Sequence, residues 1–192
     1  NIENTFGTTD PEAGAWIRFN PLDGKGVKND NVTSYRYTLL ESDAMSTGRQ
    51  KAILEQLELP IVAMVYSGGK SVHAIVKVDA GSYPEYRDRV DFIYKIAQKN
   101  GFKVDSQNRN PSRLSRMPGI MRNGTPQFLV ASNIGKETYE EWEEWINEAN
   151  DNLGDADNLE TEWNQMPDLA PELIEGVLRE GHKMMIAGPS KA

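Results

Sequence analysis

The fold is decided by the stretch IVAMVYSGGKSVHAIVKV, which spans residues 61–78. Aliphatic and aromatic side chains fill both of its ends, and the short segment 67–70 between them contains two glycines. Two such runs joined by a glycine-containing loop are typical of a β-hairpin. Because side chains alternate across a strand, Ser71 and His73 are predicted on one face, while their apolar neighbours point to the other.

Three further strands are predicted outside this hairpin. Residues 15–20 and 35–40 precede it, and residues 126–132 follow it; all three runs are rich in β-forming side chains. The chain therefore alternates between short strands and the helices described next.

Two helices are predicted from their capping patterns. Thr47 with Gln50, and Ser82 with Glu85, have the three-residue spacing of a capping box. Apolar residues follow both pairs at helical spacing, and Gly101 is expected to close the second helix.

A third helical turn is predicted to begin at Asn110 and Pro111. Asparagine is a frequent N-cap, and proline is favoured at the first helical position. Residues three apart in a helix share a face, so this turn would present Arg113 and Arg116 on one side. Pro118 is expected to stop it.

The C-terminal part of the chain changes character. An apolar helical stripe runs among many glutamates, and its tryptophans are expected to pack on the domain: Tyr139, Trp142, Trp145, Ile146 and Ala149. Asparagine and aspartate then dominate 150–158, as in linkers, and a short helix at 171–179 and an apolar strand at 183–187 follow. We therefore predict a domain at 1–150 and an acidic appendage at 151–192.

Composition excludes several classes of protein. The 192 residues include no cysteine and two histidines, which excludes a disulfide scaffold and a thiolate zinc site. No apolar run has the roughly 20 residues that a membrane span needs. These features predict a cytoplasmic protein.

The negative charge is concentrated in one segment. The chain carries a formal charge of -8, but residues 136–180 hold 15 acids and 2 bases, whereas residues 1–135 hold 14 acids and 17 bases. Proteins that bind phosphates need lysine and arginine to replace counterions, and the first segment has them. Nucleic acid or a nucleotide therefore stays open as a partner.

Two carboxylates follow the predicted strand 35–40. Glu41 and Asp43 are two residues apart, so on extended backbone they point to the same face. Paired carboxylates repel each other unless a cation lies between them, and oxygen ligands of this kind suit Mg²⁺ or Mn²⁺. The alternative is a pair of solvated acids at the end of an edge strand.

The hairpin loop carries groups suited to phosphate. Gly68 and Gly69 allow close approach of the backbone to a ligand, and Lys70 supplies a point charge. The loop leads into a strand, which argues against a Walker-type phosphate loop. His73 is alternatively a sheet histidine with an ordinary hydrogen-bond partner.

An acid and two arginines follow further along the chain. Paired guanidinium groups such as those of Arg113 and Arg116 fit phosphate oxygens, and Asp105 precedes them by eight positions. The alternative is a solvated basic surface on which Asp105 forms a local ion pair.

Taken in order, these motifs resemble the archaeo-eukaryotic primase superfamily, and more closely the primase-polymerase domains of phage, plasmid and other mobile-element replication proteins. The acid-x-acid motif lies at 41–43, the Ser-x-His motif at 71–73, and the third acid is Asp105. Residues 113–119 resemble the arginine-bearing segment of the family. The resemblance covers 13–135, and Glu replaces the usual first Asp.

The resemblance implies a fold and a reaction. The expected fold is α+β, with a mixed or antiparallel RRM-like sheet flanked by helices and a helical, acidic C-terminal appendage. The expected reaction is template-directed nucleotidyl transfer with two Mg²⁺ or Mn²⁺ ions, which Glu41, Asp43 and Asp105 would bind.

The resemblance also implies a nucleotide site. Residues of four types would hold the triphosphate: Lys70, Ser71, His73, Arg113 and Arg116. Arg18 and Asn20, on one face of the first predicted strand, are weaker candidates for contact with nucleotide or template.

Expected partners are single-stranded DNA and a dNTP or NTP, in a bacterial host cell or encoded by a phage. A C-terminal helicase-type ATPase is also expected, because residues 188–192 follow an apolar strand and match the first five positions of a phosphate loop.

Three other functions are weighed against this one. A catalytically inactive nucleic-acid-binding module that recruits a helicase to an origin is less favoured, because carboxylates hinder phosphate binding without a metal. A nicking initiator normally has a second histidine near the first, and His73 has none. The partial phosphate loop argues against a repair polymerase of an end-joining ligase.

Overall fold

A five-stranded antiparallel sheet lies at the centre of the first part of the chain. The computed structural model describes residues 7–152, 172–174 and 178–179. The strands in these ranges are β1 (Trp16–Arg18), β2 (Tyr35–Leu40), β3 (Ile61–Tyr66), β4 (Val72–Ala80), β5 (Leu114–Arg116), β6 (Ile120–Arg122), β7 (Thr125–Ile134), β8 (Glu172–Ile174) and β9 (Leu178–Arg179). The α-helices are α1 (Thr47–Gln56), α2 (Tyr83–Lys99) and α3 (Tyr139–Asn152), and short 3₁₀ turns lie at Asn29–Asn31 and Ser106–Arg109.

The hairpin predicted from residues 61–78 occupies the middle of the sheet. The strand order is β2-β4-β3-β7-β6, and each neighbouring pair is antiparallel. β3 and β4 are therefore flanked on both sides, so their backbone groups are paired in both directions. The predicted α+β class, with an antiparallel sheet and helices beside it, is confirmed.

The hydrophobic core lies on one face of this sheet. Alternate residues of β4, from Val72 to Val78, belong to the core together with the buried faces of α1 and α2. Trp142 of α3 is fully buried there, and its Nε1 donates to the Leu57 carbonyl at 2.9 Å. The packing expected of Trp142 and Trp145 is confirmed, since Trp145 packs against the same core.

The opposite face of the sheet carries the candidate site. A second, two-stranded sheet forms there from β1 and β5, with Trp16 opposite Arg116 and Ile17 opposite Ser115. Ser115 reaches the ring of His73 on β4, so the small sheet packs over the polar face predicted for that strand.

One predicted cap is confirmed and the other is wrong. Ser82 is the N-cap of α2, and its side chain accepts from the backbone N–H of Glu85. Ser46, rather than Thr47, is the N-cap of α1, and no side-chain cap hydrogen bond forms there. The side-chain amide of Gln50 instead points towards the β3–β4 hairpin, where it forms hydrogen bonds with the backbone.

The helical turn predicted after Asn110 is also wrong. The chain forms a 3₁₀ turn at Ser106–Arg109 and then a single hydrogen-bonded turn, in which the Arg113 N–H donates to the Asn110 carbonyl at 3.1 Å. It does not continue as a helix but enters β5 at Leu114. Pairing with β1 outweighs the local capping signal of Asn110 and Pro111, because it gives this segment sheet hydrogen bonds. Arg113 and Arg116 consequently do not share a helical face.

The chain divides into two units, residues 1–146 and 147–192. In the second unit, β8 and β9 pair as antiparallel strands, so the helix predicted at 171–179 is wrong where the structure describes it. The expected strand at 183–187 and the partial phosphate loop lie outside the described residues.

None of the helices in the described ranges has the length and apolar character needed to cross a bilayer.

Candidate active site

Two adjoining cavities open on the sheet face that the β1–β5 pair covers. The first has a volume of about 450 Å³, and the residues that line it are Trp16, Glu41, Asp43, Ser67, Gly68, Gly69, Lys70, Ser71, His73, Arg116, Arg122 and Asn123. The second has a volume of about 380 Å³, and its lining is Trp16, Arg18, Val27, Glu41, Asn110, Ser112, Arg113 and Leu114. Both volumes lie in the range of small-molecule sites. Trp16 and Glu41 belong to both linings, so the cavities share a wall.

A buried carboxylate–imidazole pair stands at this shared wall. Glu41 Oε2 lies 2.7 Å from His73 Nε2, and the His73 side chain is only 4% exposed. Asn108 Nδ2 donates to the other oxygen, Oε1, at 2.8 Å. The β2 strand ends immediately before Glu41, which places its side chain beside β4 and the histidine.

The backbone of β5 fixes the tautomer of His73. The Arg116 N–H donates to His73 Nδ1 at 3.3 Å, and Ser115 Oγ lies 3.3 Å from the same nitrogen. Because Nδ1 accepts, the ring proton is on Nε2 and is donated to Glu41. Both ring nitrogens are therefore engaged by the protein, and the imidazole orients Glu41.

The carboxylate of Glu41 is held in its charged form. Burial by itself raises the pKa of Glu41, but hydrogen bonds from His73 and Asn108 and the charge of Arg113 outweigh it. The pKa of Glu41 is therefore below its usual value of 4.5. A negative charge is thus maintained at the wall between the cavities.

Asn108 connects this carboxylate to a second ion pair. Arg113 Nε donates to Asn108 Oδ1, and Arg113 Nη2 lies 4.0 Å from Asp105 Oδ2. The other Asp105 oxygen, Oδ1, accepts from the Gln107 N–H and caps the 3₁₀ turn that carries Asn108. Asp105 is joined to Glu41 through these residues, and also by a backbone hydrogen bond of 3.1 Å from its N–H to the Glu41 carbonyl.

Three cationic side chains line the first cavity. These are Lys70, Arg116 and Arg122. Burial, and then the nearby charge of Arg122, lower the pKa of Arg116 to about 10. Within the described residues, no ion pair involves any of the three. The cavity therefore combines two carboxylates with a group of cations that suits a polyanionic ligand.

The loop between β3 and β4, which carries Lys70, is held in a defined conformation. Gly68 has φ +71°, a conformation that favours glycine, and a Cβ there would lie 3.2 Å from Gln127 Cγ. Gln50 Oε1 accepts from the Val72 N–H at 3.1 Å, and its Nε2 donates to the Lys70 carbonyl at 3.3 Å. Helix α1 thereby holds the loop that carries Lys70.

The first cavity brings together most of the residues that the sequence singled out. Glu41, Asp43, Lys70, Ser71, His73 and Arg116 all line it. Arg113 and Arg18 line the second cavity instead, and Arg18 Nη1 donates to the Ser112 carbonyl.

Two of the predicted residues lie elsewhere. Asp105 is in neither lining, because its carboxylate caps a turn and faces Arg113. Asn20 is buried, and its amide bonds to the backbone of Arg36, Tyr37 and Pro111. These bonds use both amide hydrogens and both oxygen lone pairs, so Asn20 joins β1 to its neighbours.

Sequence reasoning missed four residues of the site. They are Trp16, Asn108, Ser115 and Arg122. Trp16 lies on a predicted strand two residues before the candidate Arg18, and between Lys103 and Arg122 the sequence has five basic residues and one acid, so both had a weak local signal. Asn108 and Ser115 had none, because each meets its partner only across the fold.

The carboxylates of the first cavity fit one common mode of divalent-cation binding. Within the described residues, no group of three or more His, Asp or Glu side chains is arranged to hold a metal ion. Mg²⁺, however, is usually bound through one or two carboxylates together with substrate phosphates and water. Glu41 and Asp43 in one cavity fit that mode. Glu41 Oε2 accepts from both His73 and Ser71, but Oε1 accepts only from Asn108 and so keeps a second lone pair for a cation.

Comparison with known proteins finds similarity to a solved structure. No family model matches the chain, and no curated protein is significantly similar to it. Among solved structures, it is similar to the AEP domain of the primase-polymerase (PrimPol) of cyanophage S-2L, with 22% sequence identity and a TM-score of 0.46. The match covers 62% of this chain and 64% of that one, which is less than two thirds of the neighbour. At this identity and score, the function has to be inferred from the residues of the chain itself.

Proposed function

We propose that the chain is the catalytic domain of a DNA primase-polymerase, a metal-dependent nucleotidyltransferase of the archaeo-eukaryotic primase type. It would join nucleotides on a single-stranded DNA template, using a dNTP or NTP as substrate. The observation that carries the proposal is the first cavity, which Glu41 and Asp43 line together with Lys70, Arg116 and Arg122. Carboxylates and cations in one cavity are what a metal–triphosphate ligand requires.

The carboxylates are the proposed metal ligands. Glu41 and Asp43 would hold Mg²⁺ or Mn²⁺ together with the phosphates of the substrate. A bound divalent ion lowers the pKa of an attacking hydroxyl and stabilises charge on the leaving group. We keep Asp105 as a candidate third ligand, which would have to turn away from Arg113 to reach the cavity.

The other residues position the substrate. Lys70, Arg116 and Arg122 would bind the β- and γ-phosphates, and the negative charge that develops on departing pyrophosphate would be stabilised by them. Ser71 lines the same cavity and would share in this contact. His73 would keep Glu41 in place, because its Nε2 proton is donated to that carboxylate. Arg113 would act from the second cavity.

Primer synthesis on circular single-stranded DNA tests the proposal. The protein is incubated with Mn²⁺ or Mg²⁺ and labelled NTPs or dNTPs, without primer. We expect Asp43→Ala to lower synthesis by at least roughly 100-fold while DNA binding is retained, because one of two metal-binding carboxylates is lost. Asp88→Ala, which removes an exposed carboxylate on α2, is the matched control and should leave synthesis unchanged. Undiminished product from Asp43→Ala would contradict the proposal.

A second candidate is a catalytically inactive nucleic-acid-binding module. It is favoured by one observation: both oxygens of Glu41 already accept hydrogen bonds, from His73 and Asn108. Titration with Mn²⁺ separates the candidates, because the enzyme should bind dNTP more tightly as the metal is added. An inactive module should show dNTP affinity that does not depend on the metal.

A helicase-type ATPase domain is proposed as a partner in the same polypeptide. The support is the sequence 188–192, which agrees with the first five positions of a phosphate loop.

A further inference from the structure

Trp16 is exposed to solvent but held firmly in place. Its relative exposure is 48%, which is high for the most hydrophobic of the large side chains. The guanidinium carbon of Arg116 lies 3.4 Å from the centre of the indole, and the ring of His73 lies 6.4 Å away at an angle of 48°. One face of the indole is therefore covered by an arginine, while the side chain as a whole remains accessible.

The arginine behind the indole is itself fixed. Arg116 Nη1 donates to the Ala13 carbonyl at 2.7 Å, and Arg116 lies directly opposite Trp16 in the β1–β5 register. A cation in contact with the face of a tryptophan is attracted by the ring, which adds to this order. The indole is thus a rigid, preorganised surface beside the first cavity.

The second cavity extends the apolar character of this surface. Val27 and Leu114 line it together with Trp16. The rest of the lining is polar or charged: Arg18, Glu41, Asn110, Ser112 and Arg113. A flat heteroaromatic ring with hydrogen-bonding edges matches such a lining, because its faces pack on apolar groups and its edges meet polar ones. The first cavity, by contrast, is dominated by charge.

We propose that Trp16 is the stacking platform for the base of the incoming nucleotide, whose base enters the second cavity while its phosphates occupy the first. This inference rests on the proposed function. The main support for the inference is the wall that the two cavities share. Trp16 and Glu41 line both cavities, so one ligand can lie across them. A nucleotide has a charged end and a flat aromatic end, in the same order as the two cavities.

The incoming nucleotide fits this platform better than a template base does. The Arg116 side chain contributes to both parts of the site, since it lines the phosphate cavity and stacks on Trp16. A template strand would bring its own phosphates along the protein surface, but it has no need of the cavity that Lys70 and Arg122 line. Stacking on Trp16 would be sequence-tolerant, because every base has a π-face.

Calorimetric binding of three ligands tests the proposal. dATP, inorganic tripolyphosphate and single-stranded DNA are titrated in the presence of Mn²⁺ into the whole chain and into three variants: Trp16→Ala, Trp16→Phe and Phe128→Ala. Phe128 is 47% exposed and lies outside both cavities, so its variant controls for the loss of an exposed aromatic side chain. We expect Trp16→Ala to weaken dATP binding by roughly 5- to 150-fold and to leave tripolyphosphate binding unchanged.

The other two variants, Trp16→Phe and Phe128→Ala, show whether the effect comes from stacking on the indole. Trp16→Phe should retain most of the dATP affinity, and the quenching of tryptophan fluorescence that dATP causes in the wild type should disappear in it. Phe128→Ala should bind dATP and tripolyphosphate as the wild type does. Circular dichroism establishes that each variant is folded. If Trp16→Ala does not fold, the fluorescence of Trp16→Phe still tests the inference.

Four outcomes would overturn the inference. Trp16→Ala could bind dATP as tightly as the wild type, lose affinity for dATP and tripolyphosphate equally, or lose affinity only for single-stranded DNA, which would make Trp16 a template contact. In a folded Trp16→Phe, unchanged quenching would also exclude stacking on Trp16. Failure of the proposed function has a different signature: the wild type itself would bind neither dATP nor tripolyphosphate.

Discussion

At the scale of single residues, the site depends on the carboxylate of Glu41, both of whose oxygens accept hydrogen bonds. Glu41 accepts from His73 on one oxygen and from Asn108 on the other. A buried charge without such partners would be neutralised by a shift of its pKa, so the two donors preserve the charge. His73 in turn is oriented by the Arg116 backbone, which links the position of the carboxylate to the β1–β5 sheet.

The pKa of Glu41 predicts how its contribution to stability depends on pH. In the folded protein this pKa lies below 4.5, so the unfolded chain takes up the proton first as the pH falls. The contribution is therefore fully present above pH 4.5 and is lost as the pH falls through the folded pKa. We expect Glu41→Gln to lower the free energy of unfolding by on the order of 1 kcal/mol at pH 7, and by progressively less below pH 4.5.

Denaturant unfolding between pH 3 and pH 7 measures this difference. Glu144→Gln removes an exposed carboxylate from α3 and serves as the control for the general effect of one charge. A difference between wild type and Glu41→Gln that stays constant over the whole pH range would show that the charge of Glu41 does not stabilise the fold.

At the scale of elements, helix α1 holds the loop of the β3–β4 hairpin in place. Gln50 is fully buried on α1, and its amide bonds to the backbone of Met45, Lys70 and Val72. The loop that carries Lys70 is therefore positioned by a helix that contributes no side chain of its own to either cavity lining.

Replacement of Gln50 should affect stability and binding together. Gln50→Ala leaves the Val72 N–H and the Lys70 carbonyl without their partner, which costs about 1–3 kcal/mol of unfolding free energy for a buried group. We also expect weaker tripolyphosphate binding, because the loop loses its support. Gln56→Ala, at an exposed position of the same helix, is the control. Equal melting temperatures for the two variants would contradict this role.

The elements with strong periodicity were predictable from the sequence, and the short ones were not. The 61–78 hairpin and helix α2 have long runs of apolar residues at a regular period, and both are confirmed. β5 and β6 have three residues each, which is too few for any period to show. β5 also pairs with the remote strand β1, whereas β6 pairs with β7, the next strand along the chain. The site divides in the same way: local spacing indicated Glu41 and His73, but only the fold joins them to Asn108.

At the scale of the whole molecule, the charge of the chain is segregated. Residues 136–180 carry 15 acids and 2 bases, whereas residues 1–135 have a small positive excess of 17 bases over 14 acids. The residues that line the two cavities all lie between positions 16 and 123, in the segment with that excess. Among the residues of the acidic segment that the structure describes, none lines either cavity.

This segregation predicts the effect of a deletion. Removal of residues 151–192 should leave nucleotide incorporation nearly intact, because it spares both cavities and the buried anchor Trp142. Primer synthesis by the shortened and whole chains is compared at the same salt concentration, with circular dichroism to establish folding. Complete loss of activity in a folded truncation would contradict the assignment of the site to the first unit.

The two strands behind Trp16 have a consequence for the order of the site. β1 and β5 contribute three residues each to their sheet, whereas β3 and β4 are paired on both sides. A two-stranded ribbon of this length is only marginally stable by itself, so its order depends on what it packs against. The fixed position of the indole therefore rests on a few local contacts, those of Arg116 with Trp16 and of Ser115 with His73, rather than on the resistance of the central sheet to global unfolding.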